Sequence, residues 1–119
     1  MDYTVANQDR GSTIGTRVRI AGTSAERRKG LLELSCLEAG TGLWITPCEA
    51  IHTFGMKMPI DAMFLDRDYR VRKLVASLLP TRISICLSAC SVLELPAGTI
   101  LRSATELGDR LRFQSVSRS

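Results

Sequence analysis

What most constrains this 119-residue chain is its punctuation. Turn-forming residues recur at short intervals: Gln8-Asp9-Arg10-Gly11, Pro47, Pro59, Asp66-Arg67-Asp68-Tyr69, Pro80, Pro96-Ala97-Gly98 and Leu107-Gly108-Asp109. Glycine and aspartate suit tight turns, while proline cannot donate to a β-ladder. The intervals between them read as strands. Residues 3–7 alternate weakly and residues 12–21 more clearly. Ile14, Thr16, Val18 and Ile20 fall on one face there, with Arg17 and Arg19 on the other. The turn at Gly11 joins these two strands into a hairpin. Further strands are expected at 43–45, 50–54, 60–65, 70–79, 91–95 and 110–115, and residues 83–90 are small, apolar and ambiguous.

Helical signals are fewer. Thr23 followed three residues later by Glu26 is a capping box, in which each side chain satisfies an orphan N–H of the first turn. The helix it opens is expected to reach about Leu34, with Leu31, Leu32 and Leu34 anchoring its end and charges 26–29 on the solvated face. A second, short helix is expected at 99–103. Several hairpin-joined strands with one capped helix and one short helix predict a mainly β (α+β) fold, a compact β-barrel or rolled antiparallel sheet. Strand–helix alternation is absent, which disfavours a doubly wound fold.

A hydrophobic content of 45% suffices for one core, so residues 1–119 read as a single domain whose tail, 116–119, frays. No run approaches the ~20 apolar residues of a membrane-spanning helix, and the first residues lack a signal-peptide layout. A cytoplasmic location is expected, which suits four cysteines kept as buried free thiols. The net charge of +4 is mildly basic. Arg17, Arg19, Arg70 and Arg72 alternate with apolar residues as on the wet face of a sheet, and six aromatic residues are few for a base-stacking platform. Nucleic acid is therefore a disfavoured partner.

Chemistry concentrates in the stretch Cys48-Glu49-Ala50-Ile51-His52-Thr53-Phe54-Gly55-Met56-Lys57-Met58-Pro59-Ile60-Asp61. It holds the only histidine, which suits a base, a ligand or a satisfied structural group. Lys57 places one cation on a rim of methionines between Gly55 and Pro59, as an anion-binding mouth would. Asp61 sits inside an apolar strand, with Ile60, Ala62 and Phe64 on one face and Asp61, Met63 and Leu65 on the other. Burying a carboxylate there requires partners, expected to be N–H groups of the bend or Lys57. Cys48-x-x-x-His52 and Cys86-x-x-x-Cys90 would make a zinc-binding Cys₃His set only if their strands paired, and neither has the spacing of common zinc knuckles. No cofactor motif is present.

The run Ile51-His52-Thr53-Phe54-Gly55-Met56-Lys57-Met58-Pro59-Ile60-Asp61, followed by Phe64-Leu65-Asp66, resembles the signature of domain-of-unknown-function family 192. Three flanking elements agree: the capped helix ending in Lys29-Gly30-Leu31, the strand Gly42-Leu43-Trp44-Ile45-Thr46-Pro47, and Val92-Leu93-Glu94-Leu95-Pro96-Ala97-Gly98 with Gly108-Asp109. Two positions depart from the family pattern. Tyr69 stands where a turn glycine is common, which implies a wider turn. Thr81 stands where an aromatic residue often precedes the arginine, which implies a less anchored loop. The resemblance implies a small β-rich domain, with a Gly-Asp turn similar to that of cradle-loop-type barrels. It supplies no activity and no catalytic residues.

The leading functional expectation is a binding module for a small anionic ligand or a peptide. Its rim would be the bend from Gly55 to Pro59, with Trp44, His52, Phe54, Met56, Lys57, Asp61 and Arg82 as the candidate binding residues. The alternatives are an enzyme using His52 as acid/base with Lys57 or Asp61, and a nucleic-acid-associated domain using the arginine-bearing sheet face.

Overall fold

The computed structural model describes residues 2–32 and 34–116. Nine strands and two helices follow in the order β1 (Asp2–Asn7), β2 (Ser12–Ala21), α1 (Ser24–Lys29), β3 (Thr41–Ile45), β4 (Ala50–His52), β5 (Ile60–Leu65), β6 (Val71–Leu78), β7 (Ile83–Ile85), β8 (Ser91–Pro96), α2 (Thr99–Ser103) and β9 (Leu111–Ser115). Seven strands form one sheet, ordered β6-β5-β8-β3-β2-β1-β9, and β4 pairs with β7 in a separate ribbon. The fold is mainly β with a rolled sheet, as the punctuation predicts. One pairing departs from an all-antiparallel roll: β2 and β3 run parallel. A parallel pair needs a crossover connection, and the segment carrying α1 supplies it. The sheet curls until its two edge strands meet. Arg70 bridges Arg110, and the Gly108 N–H donates to the Val71 carbonyl at 2.8 Å.

The capping box at Thr23 is present: the Glu26 N–H donates to the Thr23 hydroxyl at 3.1 Å, and Glu26 accepts the Thr23 N–H at 3.0 Å. The helix stops at Lys29, short of the expected Leu34. Gly30 takes a φ of 49°, which breaks the helical path at little cost only for glycine. Leu31 still reaches the core, whereas Leu34 is exposed rather than an anchor.

Strand β5 is buried along its whole length because it has a core on each face. Ile60, Ala62 and Phe64 join Leu43, Ile45, Val92, Leu31, Ile51 and Met56 on one side. Met63 and Leu65 join Val5, Val18, Trp44, Leu93 and Leu111 on the other. This is the alternation expected of residues 60–65. The ribbon β4–β7 lies over the first core through Ile51.

The two departures from the family pattern resolve differently from expectation. The turn at Tyr69 is tight, closed by hydrogen bonds from the Tyr69 N–H to the Asp66 carbonyl and from the Asp66 N–H to the Arg70 carbonyl, both 3.0 Å. Tyr69 itself takes the left-handed φ of 63° that glycine would favour, and its ring packs 5.1 Å from Phe113. The loop at Thr81 is anchored through buried Thr53. The Thr53 hydroxyl donates to the Leu79 carbonyl at 2.7 Å and accepts the Arg82 N–H at 2.8 Å. The tail residues 117–119 lie outside the described residues.

Candidate functional site

The stretch around His52 does not act as one unit. In β4, Ile51 points into the core while Ala50 and His52 are exposed. The bend that follows is closed by the Met56 N–H on the Thr53 carbonyl at 3.1 Å, with Met56 buried. The Phe54 ring lies 5.6 Å from that of His52 and is half exposed. Lys57 is exposed at the far side of the bend.

Three candidate residues sit elsewhere. Trp44 is buried in the second core, stacked on Phe113 at 4.0 Å, and its indole Nε1 has no hydrogen-bond partner. Arg82 is exposed, and its guanidinium donates to the Thr81 carbonyl and hydroxyl. Asp61 is fully buried, but its partners are neither the bend nor Lys57. One oxygen accepts the Ser77 N–H at 2.9 Å and the other the Ile100 N–H at 2.8 Å. Asp61 thereby ties β6 and the first turn of α2 to β5, a structural task.

A pocket of about 720 Å³ opens beside β4, over the first core. Ligand sites commonly fall in the range of roughly 300–1,000 Å³. One side is α1 and the residues after it, with Arg27, Arg28, Gly30, Leu31 and Leu32. The other side is Pro47, Cys48, Glu49, Ala50, Ile51 and His52, with Met56. Ile45 and Glu94, from the central strands of the large sheet, form its floor. Of the seven candidates named from sequence, His52 and Met56 line this pocket; Trp44, Phe54, Lys57, Asp61 and Arg82 do not.

Glu94 is the residue that sequence reasoning missed. It lies in the middle of β8, opposite Leu43 and Ala62, and is only 3% exposed. Its carboxylate accepts no hydrogen bond among the described residues. Burial alone pushes its pKa from 4.5 up to about 7. Asp61 and Glu94 are thus two buried carboxyls on adjacent strands, facing opposite sides of the sheet, with opposite treatment. Asp61 is saturated by backbone N–H groups, and Glu94 is left open beneath a pocket. The signal was available in the run Ser91-Val92-Leu93-Glu94-Leu95, where one carboxylate interrupts apolar residues just as Asp61 does. Strongly shifted carboxyls in clefts concentrate at functional sites.

Cysteine chemistry is modest. The strands carrying Cys48 and His52 on one side and leading to Cys86 and Cys90 on the other do pair, since β4 and β7 form the ribbon. Even so, no three metal-ligating side chains among the described residues come close enough to hold an ion. All four cysteines are free; Cys36 and Cys90 are exposed rather than buried. Burial pushes the Cys48 thiol pKa up, and the nearby Glu94 carboxylate acts the same way.

Around the curled sheet, β2, with Arg17 and Arg19, is separated from β6 by β3, β8 and β5 on one side and by β1 and β9 on the other. The Arg72 guanidinium lies 3.8 Å from Asp66, and that of Arg70 donates to the Gly108 carbonyl at 3.1 Å. No helix among the described residues is long and apolar enough to cross a membrane.

A small, mainly β domain with a curled sheet and a carboxyl-floored pocket is the class these features define. The chain belongs to domain-of-unknown-function family 192 (DUF192, Uncharacterized ACR), whose pattern it matches over residues 5–113. No curated protein matches it in sequence. Two crystal structures share its fold. One is a protein of unknown function from Novosphingobium aromaticivorans DSM 12444, with 24% identity, a TM-score of 0.80, and 94% of this chain and 84% of that chain covered. The other is described as a putative transcription regulator from Sinorhizobium meliloti 1021, with 24% identity, a TM-score of 0.82, and 93% and 91% covered.

Proposed function

We propose that this chain is a single small-molecule-binding domain whose site is the pocket between α1 and β4, floored by Glu94. The observation that carries this reading is a nearly fully buried carboxyl, without a hydrogen-bond partner among the described residues, at the base of a cavity of ligand size. Arg27 and Arg28 at the mouth give it a basic rim suited to the anionic ligand or peptide end expected from the sequence. His52 and Met56 belong to the same wall. Lys57 and Arg82 stand outside it and would meet only a ligand that extends beyond the bend. A cytoplasmic setting fits the four free thiols.

The test is a thermal-shift screen of anionic metabolites and short peptides, with binders mapped by backbone amide shifts. Changes centred on Leu31, Cys48, Ile51 and Glu94 support the pocket. Binders that perturb only distant residues, or no binder at all, remove it.

A second reading, acid–base catalysis, is favoured by one observation: the exposed His52 at the mouth and Glu94 at the floor line the same cleft. Glu94 replaces Asp61 as the companion carboxyl, because both Asp61 oxygens are already occupied. Turnover of a hydrolase or isomerase substrate panel that disappears in both His52→Ala and Glu94→Gln would support it. Turnover unchanged by both variants would rule it out. The transcription-regulator description of one structural neighbour concerns that protein, and the scattered arginines here lend it no support.

A further inference from the structure

We propose that the pocket takes a small molecule with a protonated amine at one end and an anion at the other, the amine seated on Glu94 and the anion at the mouth beside Arg27 and Arg28. This rests on the pocket reading above and names its ligand class.

The floor sets the first requirement. Glu94 is flanked on its strand face by apolar Leu43 and Ala62, with Leu31 and Met56 covering it in the same core. A buried carboxyl without a partner is costly, and the protein supplies none. Several polar groups of the pocket are engaged elsewhere. The Arg27 guanidinium donates to the Gly22 carbonyl and, at 3.4 Å, to the Ser24 hydroxyl. The Cys48 thiol donates to the Ala50 carbonyl at 3.1 Å. Gly30 leaves room at the carboxyl: a β-carbon placed there would stand only 3.8 Å from Oε1. The carboxyl is therefore open to a partner that enters through the pocket. An ammonium brings three donors and the opposite charge.

The mouth sets the second requirement. The same helix presents Arg27 and Arg28 against Glu49 on the opposite wall, a balance that disfavours a simple cation on approach. An anion at the outer end reverses that. Between the two ends, Leu31, Ile51 and Met56 offer an apolar wall suited to methylene groups. A carboxylate or phosphate joined to an amine by a short aliphatic chain satisfies floor, wall and mouth together.

Because the amine prefers ionised Glu94, its affinity should fall with the ionised fraction of that carboxyl. With a pKa of about 7, the loss between pH 8 and pH 6 is about tenfold. The titratable and charged groups lining the pocket with Glu94 are Arg27, Arg28, Lys29, Cys48, Glu49 and His52.

The probes are ω-amino carboxylates of two to seven methylenes, their matched fatty acids and their matched alkylamines. Titration calorimetry at pH 8 and pH 6 compares the wild type with Glu94→Gln and His52→Asn. The expected result is one chain length of amino carboxylate binding the wild type at least tenfold more tightly than either matched series. That preference should shrink at pH 6 and vanish in Glu94→Gln; in His52→Asn, whatever its affinity, the pH dependence should remain. Fatty acids binding as tightly as amino carboxylates, unaffected by Glu94→Gln, would overturn the ligand class while leaving the pocket standing. Alkylamines binding as tightly would overturn the two-ended assignment. A pH dependence lost in His52→Asn but kept in Glu94→Gln would overturn the role of Glu94. No binding by any series, with no amide shift at Leu31 or Ile51, would overturn the ligand class and the pocket together.

Discussion

Replacing Glu94 by glutamine should stabilise this protein at alkaline pH and change little at acid pH. In the unfolded chain a glutamate loses its proton near its ordinary 4.5, whereas in the fold burial holds the proton to about 7. Between those values the folded state binds more protons than the unfolded state, so stability falls as pH rises through the window. Above pH 7 the whole penalty applies. At about 1.4 kcal/mol per pKa unit, it amounts to about 3 kcal/mol. Glutamine has the same shape and no charge to bury. At pH 5 the folded side chains are both neutral and only the part of the penalty between 4.5 and 5 applies, so Glu94→Gln should exceed the wild type by about 1 kcal/mol or less, a few degrees in Tm. At pH 8 the variant should be more stable by about 3 kcal/mol, which for a domain of this size is a rise in Tm of about 10 °C. Calorimetric melts of both proteins at half-unit intervals from pH 5 to 8 read this directly. Taking the difference between the two cancels the contributions common to both proteins. A gap that stays constant across the range, or a variant less stable than wild type at pH 8, would falsify the account of Glu94 as an uncompensated buried acid.

Three further outcomes follow from the polar anchors. Asp61→Ala removes the acceptor of the part-buried Ser77 and Ile100 N–H bonds and empties a buried site, and urea denaturation should show a loss of about 2 kcal/mol or more; a loss under ~1 kcal/mol would contradict the assigned bonds. Asp109 accepts bonds from Arg10, Asn7 and the Glu106 N–H, with Arg10 the largest influence holding its pKa down from 3.8 to about 2. Asp109→Asn should cost about 1–2 kcal/mol at pH 7, solvent screening included, and the gap should close as pH falls from 3.8 through 2, where the wild type loses the same charge. Thr23→Ala removes the capping hydroxyl of α1 and should lower stability by about 1 kcal/mol, with loss of amide protection at Glu26 in hydrogen exchange.

Much of the fold was legible because local rules were obeyed. Strand β2, the cap at Thr23, the two-sided alternation of residues 60–65 and the short α2 each follow from period, capping or turn chemistry that acts over a few residues. What escaped was set by distant contacts. Gly30 ends α1 early although leucines follow. The parallel β2–β3 pair depends on where the crossover lands. The site was legible only in part for the same reason. His52 and Met56 could be named from their own stretch. In the sequence Glu94 stands only as one carboxylate among apolar residues; its place beneath Leu31 and Gly30, more than sixty residues back along the chain, is set by the fold. Asp61 was correctly marked as needing partners, but its partners come from a bulged position in β6 and from the start of α2, which no local pattern announces.

The meeting of Arg70 with Arg110, and the pairing of β1 with β9, also bear on how the chain is made. During synthesis the β1–β2 and β5–β6 hairpins can form as they emerge, since each is local in sequence. The strand that covers the outer edge of β1 is the last of the nine described strands to be made. Until then Asn7 and Arg10 lack Asp109, and Trp44 lacks the ring of Phe113. Closure of the roll is therefore a late event that draws the two ends of the described chain together at once, and a nascent chain stalled before Leu111 would present β1 as an open, adhesive edge.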